Sequence, residues 1–351
     1  MKKQSPARSL DQWLATPVGP KRHRVFRVRL LVQAAFALTC IAIGFQLSRF
    51  FLAARAGQIP LPYRPPGAEG FLPISGLMGI LDWIYQGTLN RIHPAATILV
   101  ILVLLSAVLL RKSFCSWVCP VGFISETLAR LGRKIFGRNF LIWRWLDRTL
   151  MSLKYLILGF FVWAIVMMSA ESLQAFIQSP YNKVADVKMG LFFVNLGQLG
   201  VTVMVILVVG SVLIQGLWCR YLCPYGALLG LFSWMSPVRI RRTAESCVDC
   251  SLCDMVCMAR IPISELSVVR SVECTGCVDC LAVCPVNDTL ELAAGPRRMG
   301  IPTYAAAVVL LFVLGTSVAR ITGQWQNDIG DQEYVERFQQ MESPEYGHPG
   351  S

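Results

Sequence analysis

The chain has 351 residues, of which 54% are apolar and only 15% charged, and it contains 13 cysteines. A chain this apolar is not intrinsically disordered, and it carries fewer charges than an ordinary soluble globule, in which about a quarter of the residues are charged. Its net charge of +12 raises the question of nucleic-acid binding, which the positions of the basic residues have to decide.

Five apolar stretches are long enough to cross a bilayer, which takes about 17–25 residues. In chain order they cover residues 30–47, 94–110, 155–170, 191–218 and 301–319. The first stretch follows a long polar segment and has no small-residue cleavage site, so it predicts an anchor and not a removable signal. The fold class predicted is therefore an all-α transmembrane bundle of five spans.

Basic residues concentrate at particular membrane ends. The segment 1–29 carries eight basic residues and one acidic residue, and the loop 111–154 carries nine and two. The tail 320–351 begins with Arg320, and after that residue it has one basic residue and six acidic ones. The positive-inside rule predicts that the N-terminus, the loop and the segment 219–300 are cytoplasmic, with the tail periplasmic. Topology and anionic lipid account for the basic excess without nucleic acid.

Every cysteine except Cys40 then lies on the predicted cytoplasmic side, where disulfides are disfavoured and metal or redox chemistry is favoured. Eight of them fall in the segment 240–292 in two runs of spacing CxxCxxCxxxC. The runs are Cys247, Cys250, Cys253, Cys257 and Cys274, Cys277, Cys280, Cys284. This doubled pattern predicts an α+β domain like a bacterial two-cluster ferredoxin, in which the last cysteine of each run ligates the other cluster.

The first [4Fe–4S] cluster would thus take Cys247, Cys250, Cys253 and Cys284. The second would take Cys257, Cys274, Cys277 and Cys280. The alternative is a pair of four-cysteine zinc sites, which need CxxC pairs but no third cysteine two residues later.

Two further cysteine pairs share the motif CxxxCP. Cys115 and Cys119 follow the second span, and Cys219 and Cys223, in the segment 219–226, follow the fourth at an offset of 104 residues. Because each motif follows two spans, the membrane domain 30–218 is predicted to contain a two-hairpin internal repeat. Three interpretations of these cysteines stay open: a shared metal site or third cluster, a dithiol–disulfide pair, or buried small residues.

The two CxxxCP motifs behind membrane hairpins, combined with the doubled CxxCxxCxxxC, resemble the membrane polyferredoxin family that includes NapH, the iron–sulfur half of NosR, and CcoG. The similar region covers roughly residues 28–290. The resemblance implies an oxidoreductase subunit of the bacterial inner membrane that passes electrons between membrane quinol and a redox partner, a periplasmic or membrane-bound reductase or cytochrome. A copper reductase like CcoG and a membrane redox sensor are the alternatives.

A quinol site needs a proton acceptor near the outer interface. The candidates there are Asp82, Arg91 and His93, with Tyr85 beside them, just before the second span. Histidine suits the role because its ordinary pKa is about 6.5. The alternative for His93 is a His-Pro helix cap at the membrane edge.

Overall fold

The structure, a computed structural model, describes residues 20–137, 139–140 and 142–347. The outer parts of the predicted basic N-terminus and acidic tail, residues 1–19 and 348–351, lie outside the described residues. The chain divides into two compact units, and each boundary between them falls inside a helix. Unit 1 comprises the residues up to 37, 103–158 and 204–311. Unit 2 comprises residues 38–102, 159–203 and 312 onward.

The described part of the chain is mostly helical. Its helices in chain order are α1 Pro20–Arg55, α2 Pro73–Gln86, α3 Pro94–Leu110, α4 Pro120–Phe136, α5 Arg144–Val166, α6 Ala170–Ile177, α7 Pro180–Lys183, α8 Ala185–Val194, α9 Gln198–Leu213, α10 Pro224–Ser233, α11 Leu252–Val256, α12 Asp279–Val283, α13 Ile301–Ile321 and α14 Asp331–Gln339. The strands are β1 Val238–Arg242, β2 Leu290–Ala294 and β3 Arg297–Arg298.

Three described helices are long and apolar enough to cross a membrane unaided: Val25–Arg55, Trp145–Val166 and Ile301–Ile321. The apolar helix α3 has 17 residues. The predicted stretch 191–218 is broken, since Ala185–Phe193 and Gln198–Leu213 meet at an angle of 74° and form at most one bent span. The structure therefore has three or four spans by length and composition, compared with the five predicted.

The third predicted span begins and ends earlier than the hydropathy suggests. Helix α5 starts at Arg144 and ends at Val166, whereas the apolar run was predicted to extend over 155–170. The cause is local: Ser169 has an extended backbone, and its hydroxyl accepts the N–H of Ser172 at 3.2 Å, which caps the next helix, α6. A serine in this position favours a helix start, so the preceding helix has to stop before it.

In unit 1, the two ends of the eight-cysteine segment pair in a three-stranded antiparallel sheet. Strand β1 pairs with β2 over its whole length, with Ile240 opposite Leu292, and β2 pairs with β3. Ile240 and Leu292 are buried. This pairing brings the two ends of the segment together. The two cysteine runs, with helices α11 and α12, lie in the chain between β1 and β2.

In unit 2, the segment that the sequence marks only as an acidic tail is folded. Helix α14 buries Tyr334 and Phe338 against Phe50 of α1, with ring centroids 5.1 and 5.9 Å from the Phe50 ring. Edge-on aromatic pairs of this kind contribute beyond their buried area. The same cluster includes Val184 and Val187.

Candidate metal centre

The two CxxxCP motifs adopt the same local structure. Phe114–Val118 and Trp218–Leu222 each form one π-helical turn, closed by the N–H of Cys119 to Phe114 O (2.8 Å) and of Cys223 to Trp218 O (3.0 Å). Cys119 and Cys223 have extended backbones because a following proline disfavours the helical region. The proline then starts the next helix, α4 or α10, at its first position.

The second cysteine of each motif therefore sits at a helix N-terminus, where free N–H groups face its sulfur. Gly226 N–H donates to Cys223 Sγ at 3.3 Å, and Gly122 N–H faces Cys119 in the same way. A Cβ at Gly122 would lie 2.1 Å from Cys115 O, so this position requires glycine. Gly226 has more room, with its nearest neighbour 3.6 Å away.

The structure brings all four CxxxCP cysteines together in unit 1. Burial, together with smaller contributions from neighbouring thiols of the group, raises the pKa of Cys115, Cys119 and Cys219 to about 12. Cys223 is one of these neighbours for each of the three. We call these residues the four-cysteine group.

Two buried lysines lie beside the four-cysteine group. Lys112 and Lys154 oppose the rise in the pKa of Cys115. Both contact Glu273, with Nζ–Oε2 distances of 3.4 and 2.6 Å. Burial alone would raise the pKa of Glu273, but the two lysines lower it to about 2. This environment favours negative charge on the nearby sulfurs.

The two cysteine runs of the ferredoxin-like segment share one backbone pattern. Helices α11 and α12 follow the left-handed residues Ser251 (φ 56°) and Val278 (φ 59°). Each helix ends at an extended cysteine, Cys257 or Cys284.

Among these cysteines, the set predicted for the second cluster lies together. Burial raises the pKa of Cys280 well above its ordinary value, and Cys277, Cys274 and Cys257 add to the rise. Cys257 belongs to the other run, so the exchange of the fourth cysteine is present in the geometry. Of the set predicted for the first cluster, Cys253 lies near Cys250. Within the described residues, no three His, Cys, Asp or Glu side chains are arranged to hold a single metal ion.

The three quinol-site candidates in unit 2 have separate surroundings. His93 is buried, with Nε2 2.6 Å from Asn182 O and Nδ1 3.3 Å from Glu69 Oε1. Asp82 is also buried and accepts a hydrogen bond from Gln174 Nε2 at 2.5 Å. Arg91 is exposed and pairs with Asp328 at 2.8 Å.

The buried charges that surround His93 were not predicted from the sequence. Arg64 Nη2 lies 2.9 Å from Glu69 Oε1 and 2.8 Å from Asp186 Oδ2, and all three side chains are buried. Glu69 Oε2 also accepts the N–H of Ala96, so it caps helix α3. Two charged residues within a proline-rich loop were the only sequence signal for this cluster.

A family described as 4Fe-4S binding domain matches the chain twice, over residues 92–139 and 196–243. The two matches begin 104 residues apart, and each contains one CxxxCP pair. Neither match includes any of the eight cysteines of the segment 240–292, the first of which is Cys247.

Several known proteins are similar to the chain. YccM of Escherichia coli (strain K12), named for electron transport, is 42% identical over 292 residues, covering 81% of each chain. The ferredoxin-type protein NapH of Haemophilus influenzae is 29% identical over 193 residues, or 52% of this chain and 63% of NapH. The regulatory protein NosR of Pseudomonas aeruginosa is 31% identical over 180 residues, or 48% of this chain and 23% of NosR. None of the solved structures matches.

These likenesses, the apolar helices and the cysteine groups describe a membrane protein of iron–sulfur electron transfer with [4Fe–4S] clusters. Because YccM matches at 42% identity over 81% of both chains, the chain belongs to the membrane polyferredoxin family, together with YccM, NapH and NosR.

Proposed function

We propose that the chain passes electrons between membrane quinol and a redox partner protein through two [4Fe–4S] clusters in the segment 240–292. The observation that carries the proposal is the gathering of Cys257 with the three cysteines of the following run. The second cluster would be held by this set, and the first by Cys247, Cys250, Cys253 and Cys284. Such clusters, when bound, take up and release single electrons.

The surroundings of the second set fit an anionic cluster. Two arginines lie near its thiolates: Arg29 opposes the rise in the pKa of Cys277, and Arg220 does so for Cys257. Gly276, between Cys274 and Cys277, is left-handed (φ +63°) and buried. A buried negative centre is stable only when nearby cations and hydrogen bonds compensate it.

The four-cysteine group supports a third [4Fe–4S] cluster, held by Cys115, Cys119, Cys219 and Cys223. The two segments that match a 4Fe-4S binding domain contain these four cysteines. The group is enclosed and flanked by two lysines, which suits four thiolates better than a neutral dithiol pair. A dithiol–disulfide cycle is the competing chemistry.

Iron counting separates these possibilities. We expect about twelve irons per chain after anaerobic purification in detergent, whereas about eight would restrict clusters to the ferredoxin-like segment. Cys219→Ser and Cys277→Ser should each remove one cluster's iron and its EPR signal. Cys40→Ser is the matched control and should lose none. Zinc in place of iron would refute the proposal.

Quinol is the proposed electron donor, and His93 the proposed proton acceptor. Its imidazole is fixed between Asn182 and Glu69, so a proton taken up there is stabilised by a buried carboxylate. Asp82 and Arg91 are weaker candidates. Within the described residues, Asp82 accepts a hydrogen bond from Gln174 and has no buried charge partner, and Arg91 is always protonated and so cannot accept a proton. His93→Gln should slow quinol-driven cluster reduction while dithionite still reduces the clusters fully. Oxidation of reduced clusters by Cu(II) but not by quinone would favour a copper reductase instead.

We further propose five spans with a two-hairpin internal repeat, a cytoplasmic ferredoxin-like segment and a periplasmic tail in the bacterial inner membrane. The equal offset of the two domain matches and the shared geometry of the CxxxCP turns support the repeat. A membrane-impermeant maleimide applied to intact spheroplasts should label Ser343→Cys in the tail and spare Ser264→Cys. The opposite labelling would invert the topology.

A further inference from the structure

The first CxxxCP turn is hydrogen-bonded to the loop that carries the second cysteine set. Ser116 Oγ donates to Thr275 O at 2.8 Å, and Trp117 Nε1 donates to Gly276 O at 3.0 Å. Both donors lie between Cys115 and Cys119, and both acceptors lie between Cys274 and Cys277. The backbone between Cys274 and Cys277, two proposed ligands of the second cluster, is thus held by side chains of the turn between Cys115 and Cys119.

The second CxxxCP turn reaches the same set through its other chain segment. Arg220, between Cys219 and Cys223, donates from Nη1 to Ala259 O at 2.8 Å, two residues beyond Cys257. Asp147 holds the guanidinium in place through two hydrogen bonds of 2.6 and 2.9 Å. Both chain segments that supply the second set are therefore hydrogen-bonded to the two CxxxCP turns.

The contact between the first turn and this loop is closely packed. Trp117 is fully buried and meets the Tyr304 ring edge-on at 5.6 Å. A Cβ at Gly276 would lie 2.3 Å from Tyr304 Oη, so only glycine fits. Arg29 joins the same parts, donating from Nε to Ser116 O at 3.1 Å and from Nη1 to Asp279 Oδ1 at 2.7 Å.

The first cysteine set has a different environment. Val248, Asp249 and Met255, which lie within its run, are exposed, and Val248 and Met255 are apolar side chains left 47% and 39% accessible. In the second run, the residues from Val278 to Val283 are buried. The first run therefore contains exposed residues, whereas the second run contains a continuous buried stretch.

We propose that the four-cysteine group, the second set and the first set form a linear relay in that order, with the first set as the terminal that meets the redox partner. This order rests on the proposed function. Electrons pass between adjacent centres, and the hydrogen bonds of Ser116, Trp117 and Arg220 join the two CxxxCP motifs to the segments that supply the second set. Each transfer oxidises one centre and reduces the next by one electron, so one quinol, losing two electrons and two protons, supplies two passages to the partner.

Magnetic coupling between reduced clusters tests the order without turnover. In dithionite-reduced protein, Cys250→Ser should keep spin coupling between the second set and the four-cysteine group. Cys277→Ser should leave two uncoupled signals. Coupling that survives in Cys277→Ser, or disappears in Cys250→Ser, would overturn the relay. An iron count of about eight would overturn it together with the third cluster, whereas about twelve irons with the wrong coupling would overturn the order alone.

Variants with every cysteine intact test the bridging residues. Trp117→Phe removes the hydrogen bond to Gly276 O and keeps a ring. Arg220→Lys removes the hydrogen bond to Ala259 O and the two-point pairing with Asp147, and keeps a charge. Both should slow quinol-driven reduction of the first-set cluster about tenfold or more at unchanged iron content. They should also alter the EPR spectrum of the second-set cluster. Trp163→Phe and Arg298→Lys, both at exposed positions, are the matched controls. Rates and spectra equal to these controls would contradict the role of the bridges.

Discussion

Each unit buries an arginine between two carboxylates, yet the surroundings differ. In unit 1, Arg29 bridges Glu126 and Asp279. In unit 2, Arg64 bridges Glu69 and Asp186. The pairing is the same in kind, so the arginines alone do not distinguish the units.

The charges around these arginines do distinguish them. Near the cysteines of unit 1, cations outnumber carboxylates: Glu273 meets two lysines, and Asp147 meets Arg220 and Arg260. In unit 2, two buried carboxylates share Arg64, and the further cation available is protonated His93. A cation excess matches anionic iron–thiolate centres, and a carboxylate excess matches proton storage. The difference supports the proposed electron chemistry in unit 1 and the proposed proton chemistry in unit 2.

The largest effect is expected from Glu273→Gln. This change leaves Lys112 and Lys154 buried without their carboxylate, and breaking a buried pair in this way costs about 3–5 kcal/mol. The melting temperature in detergent should fall strongly, and less in iron-loaded than in iron-free protein, because anionic centres nearby would compensate the lysines. Exposed Glu265→Gln is the control. An equal fall in both forms would break the link between the cation excess and the clusters.

A smaller loss is expected from Glu69→Gln in unit 2. Arg64 keeps Asp186 as a partner, and the glutamine oxygen can still accept the N–H of Ala96. The cost should therefore be about 1–3 kcal/mol, that of a weakened charged hydrogen bond. Thermal unfolding in detergent measures it, with exposed Glu171→Gln as the control. A shift no larger than the control's would mean that the unit 2 cluster contributes little to stability.

Features set by the local spacing of residues could be predicted from the sequence, whereas contacts between residues far apart in the chain could not. Cysteine spacing alone predicts the second set, because the ligands of a cubane recur at fixed intervals, and this assignment stays a prediction. The Arg29–Asp279 pair joins residues 250 positions apart, and Arg64–Asp186 joins residues 122 apart. No local pattern encodes either contact.

Hydropathy predicted spans at the three helices that are long and apolar enough to cross a membrane, but it misplaced helix ends. The apolar run 191–218 continues through Asn195 and Gly197, where the helix breaks. Hydropathy averages over such residues, whereas helix geometry responds to each one. Helix α14 was missed because its buried face consists of few aromatic residues among many charges.

The proton role of unit 2 predicts a pH-dependent contribution of His93. Arg64 and burial oppose protonation, but Glu69 and Asp186 raise the pKa of His93 above its ordinary value. The stabilisation should therefore be complete below about pH 6.5 and disappear as pH rises through the folded-state pKa. The comparison uses a parent variant in which His23 and His348 are replaced. The free energies of unfolding of this parent and of its His93→Gln derivative should differ by about 1–2 kcal/mol at low pH and converge at high pH. A gap that widens with pH would reverse this assignment.

The smallest effect is expected at the exposed pair of Arg91 and Asp328, whose side chains are 80% and 59% accessible. Solvent screens such a pair, so Arg91→Gln should lower the melting temperature only slightly, and less still in high salt. The backbone contact from Asp328 N to Arg91 O, at 3.3 Å, survives the substitution and keeps the two segments together. Because the guanidinium is solvated and apart from the buried charges of unit 2, quinol-driven cluster reduction should keep its rate. A double-mutant cycle with Asp328→Asn measures the coupling. A tenfold slower reduction at unchanged melting temperature would instead place Arg91 at the quinol site and transfer proton chemistry from the buried cluster to the surface.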